Sequence, residues 1–132
     1  MFKKIIEPKI SDTDAIGHIN NVALPAWFEW ARNPLFKLFM PEIDFKRWNI
    51  LLAKLEINFE AQLFFEPPIE IRTFISRIGR SSIDVYQEAW QNGTRCVTGI
   101  AVVVHYDIEQ KKSMPIPERC RDVLSQHMIG KK

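Results

Sequence analysis

An α+β, two-layer domain, with one antiparallel sheet wrapped around one long apolar helix, is the fold class this sequence predicts. Residues 22–40 are apolar around most of a helical circumference. From Leu55 onward the apolar period changes to two. The gaps between the period-two stretches are short enough to make neighbouring strands hairpins, hence antiparallel.

In chain order, Phe2 to Ile10 begins as a strand in which Pro8 denies one ladder bond, the mark of an edge. Val22 to Met40 carries Leu24, Trp27, Phe28, Ala31, Leu35 and Phe39 among its apolar residues. Glu29, Asn33 and Lys37, with Arg32 beside them, form its single polar stripe, and an i,i+3 ion pair between Glu29 and Arg32 is expected. Pro34 removes the hydrogen bond to Trp30 and should kink or split the helix. Pro41 to Asn49 is a loop with room for a helical turn around Asp44 to Trp48. The alternation of Leu55, Ile57, Phe59, Ala61, Leu63 and Phe65 with polar residues predicts a half-buried strand ended by Glu66-Pro67-Pro68. Ile69 to Ile75 and Ile83 to Trp90 follow as strands around a turn at Gly79 to Ser82. Asn92-Gly93 is a type I′ hairpin signal. Arg95 to Tyr106 is the fourth strand of a meander, and its run Ile100 to Val104 predicts cover on both faces. Lys111-Lys112 reads as a charged loop, and Glu118 to His127 as a last short helix. Phe74, Tyr86 and Trp90 on the nominally polar parity favour an oligomer, since that face is too apolar to be left in water.

At 132 residues the chain suffices for one domain with a real core, spanning residues 1–132. Its 46% hydrophobic and 26% charged content argues against disorder, and a net charge of +2 is too small to imply a nucleic-acid partner. The N-terminal residues carry no signal-peptide pattern, and the longest apolar run is far short of a membrane span, so stable membrane insertion is not expected. Cys96 and Cys120 have no metal-ligand spacing and fit a reducing cytoplasm. His18, His105 and His127 are too dispersed for a metal site. A Gly-x-Ser-x-Gly elbow is lacking, which counts against an α/β-hydrolase mechanism.

The chemistry-bearing stretch is Asp12-Thr13-Asp14-Ala15-Ile16-Gly17-His18-Ile19-Asn20-Asn21, just where the long helix begins. Helix starts offer free backbone N–H groups and a positive dipole end. Asp14 and Gly17 also occupy the first and fourth positions of a type I turn, and Asn20 suits a helix cap, so a plain turn and cap account for the same residues.

Asp14-Ala15-Ile16-Gly17-His18-Ile19-Asn20-Asn21, followed by Glu29-Trp30-Ala31-Arg32, closely resembles the signature of the 4-hydroxybenzoyl-CoA thioesterase-like acyl-CoA thioesterases. The order strand, buried helix, four strands resembles their hotdog fold, and the resemblance covers nearly the whole chain. Leu24 stands where family members often have a tyrosine, and Pro34 interrupts the helix. The resemblance implies hydrolysis of an acyl-CoA with an aromatic or aliphatic acyl group, without cofactor or metal, coenzyme A entering as part of the substrate. Acyl carrier protein in place of coenzyme A stays open. It also implies a homodimer or homotetramer with sites between subunits.

By the same resemblance, Asp14 is the catalytic carboxylate, either attacking the carbonyl or deprotonating a water. The main-chain N–H of Asn21 is the oxyanion donor, preorganised for the charge that develops on the carbonyl oxygen. Gly17 belongs to the substrate-binding turn, and His18 orients the carboxylate, touches the substrate, or merely packs near the helix start. Asp12 is a support residue. Arg77, Arg80, Ser81 and Ser82, around the Gly79 turn, are the expected contacts for the phosphates of coenzyme A, although a solvated hairpin tip has the same composition. Two rivals remain: a catalytically silent acyl-CoA-binding domain, and a hydratase or dehydratase of acyl thioesters, whose His-rich helix start is not found here.

Overall fold

The computed structural model describes residues 1–130. Six strands form one sheet: β1 (Phe2–Ile6), β2 (Ile50–Phe59), β3 (Ile69–Ile78), β4 (Ser82–Gln91), β5 (Thr94–Asp107) and β6 (Lys112–Ser113). The helices are α1 (Ala23–Ala31), α2 (Asn33–Phe39) and α3 (Glu118–Ser125). The strand order is β1-β3-β4-β5-β2, with β6 a short addition to β5, and every strand pairing is antiparallel. Only β3, β4 and β5 form a meander. β2 lies beside β5 at the far edge and not beside β3, which corrects the expected four-strand meander. The connection 60–68 is longer than a hairpin loop, so chain neighbours are not forced to become sheet neighbours.

The apolar helix splits at Arg32, as Pro34 requires. Pro34 sits in the first turn of α2, where its missing N–H costs nothing. Leu24, Trp27, Phe28 and Ala31 face the sheet, and Phe28 is fully buried. Burying such a ring stabilises by about 1.5–3 kcal/mol. Gly99 on β5 makes room for it, because a Cβ there would lie 2.9 Å from the Phe28 ring. The helix is nonetheless not wrapped all round: Val22 and Trp30 are exposed, the latter beneath the Lys4 ammonium at 3.9 Å.

β1 ends at Ile6 before Pro8 and pairs only with β3, as an edge strand should; a 3-10 turn at Ile10–Asp12 follows. A second 3-10 turn, Phe45–Arg47, falls inside the expected loop, where the Asp44 carboxylate accepts the Lys46 N–H. β2 starts and stops earlier than its alternation suggests. After Phe59 the N–H groups of Glu60 and Ala61 both donate to Cys96 O, and the chain leaves the sheet. A register shift between Leu52 and Lys54 turns Leu51 and Leu52 outward. The Asn92-Gly93 hairpin has the two positive φ angles a type I′ turn needs, 53° and 77°.

β5 is central, flanked by β4 and β2, but within this chain only one of its faces is covered. Val97, Ala101 and Val103 are buried, whereas Ile100, Val102 and Val104 are half-buried. Lys112 is part of β6 and not of a loop, since Tyr106 and Asp107 extend β5 far enough to pair with it. α3 ends at Ser125, and the tail beyond returns to β3, where Ile75 N–H donates to His127 O.

β4 hides polar residues on its inward face. Gln87 donates to Phe28 O at 2.9 Å and to Thr73 Oγ1 at 3.0 Å, and accepts from Arg32 Nη1 at 3.0 Å. Arg32 therefore turns inward, and the expected Glu29–Arg32 ion pair is not formed. An inward guanidinium is tolerated there because Gln87 supplies it with an acceptor below the helix.

Candidate active site

Residues 12–20 form a miniature antiparallel loop closed at Gly17. Thr13 pairs with Ile19, Asp14 N–H donates to His18 O at 2.8 Å, and Asn20 N–H to Asp12 O at 2.7 Å. Gly17 has φ 85°, a left-handed conformation that glycine adopts without strain. Asp14 Oδ1 accepts from Ile16 N–H at 2.9 Å and from His18 N–H at 3.0 Å. One carboxylate oxygen thus holds the turn, and the turn's bonds leave Oδ2 unused. The His18 ring packs edge-on against Phe64, centroids 5.1 Å apart. The Asp12 side chain serves the preceding 3-10 turn, its Oδ2 accepting Lys9 N–H at 2.8 Å.

Asn20 is not the helix cap. Its side chain accepts Val22 N–H at 3.2 Å, while Val22 itself is the capping residue. The carbonyls of Asn20 and Asn21 take the N–H groups of Ala23 and Leu24. Pro25 has no N–H to offer. Among the described residues, the Asn21 N–H is the donor at this helix start that finds no acceptor. It borders a cleft of about 550 Å³ lined by Ile19, Asn21, Leu24, Leu63, Val97 and the stretch 59–62. Leu24, at the position where the resembled family often has tyrosine, lies in the cleft wall. Ile19 N–H donates to Leu63 O at 2.8 Å and locks the loop to that wall.

Glu60, Gln62 and Val97 belong to this cleft and have no signal in the sequence. The period-two pattern placed Glu60 and Gln62 on the solvent face of a strand that in fact ends before them. Glu60 is held by Arg95 through two bonds of 2.8 and 3.0 Å, which raises the guanidinium pKa from its ordinary value. Gln62 is exposed beside Asn21 in the lining. Cys96, next to Val97, is buried, and burial pushes its thiol pKa up, away from a nucleophile.

Arg77, Arg80, Ser81 and Ser82 lie at the other end of the sheet. Register puts Val97 beside Ala89 and Ala89 beside Ile71, so the cleft and the Gly79 turn are about 25 Å apart along the strands. Arg77 is occupied there: its guanidinium donates to both carboxylate oxygens of Asp84 at 3.2 Å and to Ser82 Oγ at 3.0 Å. Ser81 O accepts His105 N–H, and Arg80 O accepts Ile116 N–H, so the turn is anchored by main-chain bonds while the Arg80 side chain is exposed. One chain therefore brings Asp14, Gly17, His18 and Asn21 together and leaves the basic turn remote.

The model of the thioesterase-like superfamily matches residues 8–124, a span that includes the loop, both halves of the helix and the whole meander. The chain belongs to the thioesterase-like superfamily. A predicted thioesterase from Bacillus stearothermophilus is 38% identical, superposes with a TM-score of 0.91, and each chain covers 96% of the other. A thioesterase from Thermus thermophilus, complexed with coenzyme A and Zn, is 21% identical with a TM-score of 0.81, the match covering 93% of this chain and 96% of that one. The uncharacterized protein YsmA of Bacillus subtilis (strain 168) is 27% identical over 122 residues, which is 90% of this chain and 82% of that protein. The curled antiparallel sheet around α1 is the hotdog fold of this thioesterase superfamily.

Proposed function

We propose that this chain hydrolyses acyl-CoA thioesters, with the Asn21 N–H as oxyanion donor and Asp14 as the catalytic carboxylate. The observation that carries the reading is the unspent Asn21 N–H at a helix start, beside a cleft with apolar walls from Ile19, Leu24, Leu63 and Val97 and polar ones from Glu60 and Gln62. A donor fixed before reaction stabilises the developing oxyanion without reorganisation, which is worth about 3–4 kcal/mol when such a donor is lost. Asp14 shares the same loop and keeps one oxygen outside the turn's hydrogen bonds. That oxygen either forms a C–O bond to the carbonyl carbon, giving an anhydride that water then opens to acid and free Asp14, or takes a proton from a water whose oxygen forms that bond. In both cases the C–S bond breaks, and coenzyme A thiolate leaves and is protonated. The coenzyme A complex of the Thermus neighbour supports the substrate class. No metal or further cofactor enters the reading.

A second copy is part of the proposal. β2 exposes an unpaired edge with Leu51, Leu52 and Phe59 outward, a surface suited to an antiparallel strand from another chain. Such pairing runs the partner's strands in the opposite sense. It carries a basic Gly79 turn toward the end of the sheet where the Asn21 cleft opens, the direction a substrate's phosphates need.

Release of free thiol from a panel of aromatic and aliphatic acyl-CoA substrates tests the activity. Turnover with Asp14→Asn reduced by about 10²–10⁴ is the expected result. Binding of acyl-CoA without thiol release by the wild type would instead make the chain a silent acyl-CoA-binding domain. Single turnover in H₂¹⁸O separates the two routes. Label in the Asp14 carboxylate marks an anhydride opened at the Asp14 carbonyl. Where the label is in the released acid alone, mass spectrometry of a quenched single turnover, with or without an acyl group on Asp14, separates an anhydride opened at the acyl carbon from a general base.

A further inference from the structure

Among the described residues, Glu60 is the one charged residue in the lining of the Asn21 cleft; the rest of the wall is apolar or carries amides. β2 ends at Phe59, and Phe59 alone in that lining stands on the edge proposed for a second copy. Glu60 turns instead toward β5, where Arg95 donates to both of its carboxylate oxygens, at 2.8 and 3.0 Å.

Arg95 is shared. Its Nη1 also lies 3.5 Å from Glu88 Oε2, and Glu88 takes further bonds from the Tyr86 hydroxyl at 2.9 Å and the Trp90 indole N–H at 3.1 Å. Two carboxylates thus divide one guanidinium, and the trio stays net negative. The Arg95 and Glu60 side chains are 42% and 39% exposed, so their pairing adds little to stability. Its effect is positional: a bidentate pair fixes where the carboxylate stands.

We propose that Glu60 determines specificity in the thioester cleft: held there by Arg95, it disfavours acyl groups that end in a carboxylate and admits uncharged ones. The inference rests on the hydrolase reading above for what occupies the cleft. Across a cleft of about 550 Å³ two like charges lie on the order of 8 Å apart, where partly wetted surroundings leave a repulsion worth about three- to ten-fold in binding. The apolar walls reject a carboxylate as well, by desolvation, whatever stands at position 60. Charge changes at Glu60 and Arg95 isolate the share that belongs to Glu60.

The test compares hexanoyl-CoA with adipoyl-CoA, equal in acyl length and differing in a terminal carboxylate, by kcat/KM for thiol release. Glu60→Gln should lower the preference for hexanoyl about three- to ten-fold, and Glu60→Asp should retain most of it. Arg95→Gln should raise it, because Glu60 then loses its counter-charge. A pair that merely braced the wall would shift both variants the same way. Shifts of the same sign, or a preference unmoved by Glu60→Gln, overturn the proposal. S-hexyl-CoA and its ω-carboxy counterpart, thioethers that cannot be hydrolysed, are titrated by calorimetry into the same variants. Kd ratios that move as stated, with no thiol release by the wild type, overturn hydrolysis and leave the role of Glu60 standing. Thiol release with unmoved ratios overturns the role of Glu60 alone, and binding of neither thioether overturns both.

Discussion

Asp14 Oδ1 serves the turn while Oδ2 takes no part in its hydrogen bonds, and two substitutions separate the turn from the proposed chemistry. Asp14→Asn keeps an acceptor for the Ile16 and His18 N–H groups, so its melting temperature should stay within a few degrees of wild type while hydrolysis collapses. Asp14→Ala loses both and should also cost about 1–2 kcal/mol in denaturant unfolding. Equal turnover in Asp14→Asn and wild type would remove Asp14 from the mechanism. Away from the site, His127 stacks on Phe2 at 3.8 Å with a buried, unpartnered Nδ1, and burial lowers its pKa below the ordinary 6.5. The unfolded chain then binds the proton more readily than the folded one. Stability must therefore fall as pH drops below about 6.5 and stop falling only under the depressed folded value. Thermal melts between about pH 7.5 and 5 should show this loss, and His127→Phe should flatten it.

The joins between elements were legible where one residue type forces the backbone, and obscure where a partner decides. Pro34 announced the division of the helix, and Asn92-Gly93 the hairpin, because each restricts φ locally. The end of β2 carried no such residue. Its alternating pattern runs through to Phe65, yet the ladder stops when Glu60 and Ala61 share Cys96 O. The inward Gln87 and Gln91 of β4 were unreadable for the same reason. Their acceptors and donors lie on α1, β3 and the loop before β3, far off in sequence. Gly99 is a contact at which α1 and β5 approach closely. Gly99→Ala should press a methyl into the Phe28 ring and cost about 1–3 kcal/mol by denaturant unfolding, with the full effect relieved in part by Phe28→Leu. Additive losses in the double variant would show that the two positions are not coupled.

At the scale of the whole molecule, the exposed β2 edge, the uncovered side of Trp30 and the half-buried outer face of β5 all leave apolar surface in one chain. The proposed second copy, paired through β2, would cover the first of these. Leu51→Lys combined with Leu52→Lys should shift light scattering from dimer to monomer and lower thiol release together. A wild-type monomer in that measurement would remove the partner's basic turn from the site. Given a dimer, Arg80→Ala should raise KM for acyl-CoA with kcat nearly unchanged, whereas Arg77→Ala should do less, since Asp84 already engages that guanidinium.

By itself the sequence determined the α+β class, the buried helix with its break, most of the strands, and the loop on which Asp14 and Asn21 stand. All of these follow from periodicities and backbone preferences that act over a few residues, joined to a local motif. Only the tertiary structure decided that β2 crosses to the far side of β5, that Arg32 turns inward to Gln87, and that Asn21 faces a cleft built from residues 59–63. It also placed the Arg77–Ser82 turn at the opposite end of the sheet. Those outcomes depend on which distant backbone and side-chain groups satisfy one another once water is excluded, and no short-range pattern records that choice.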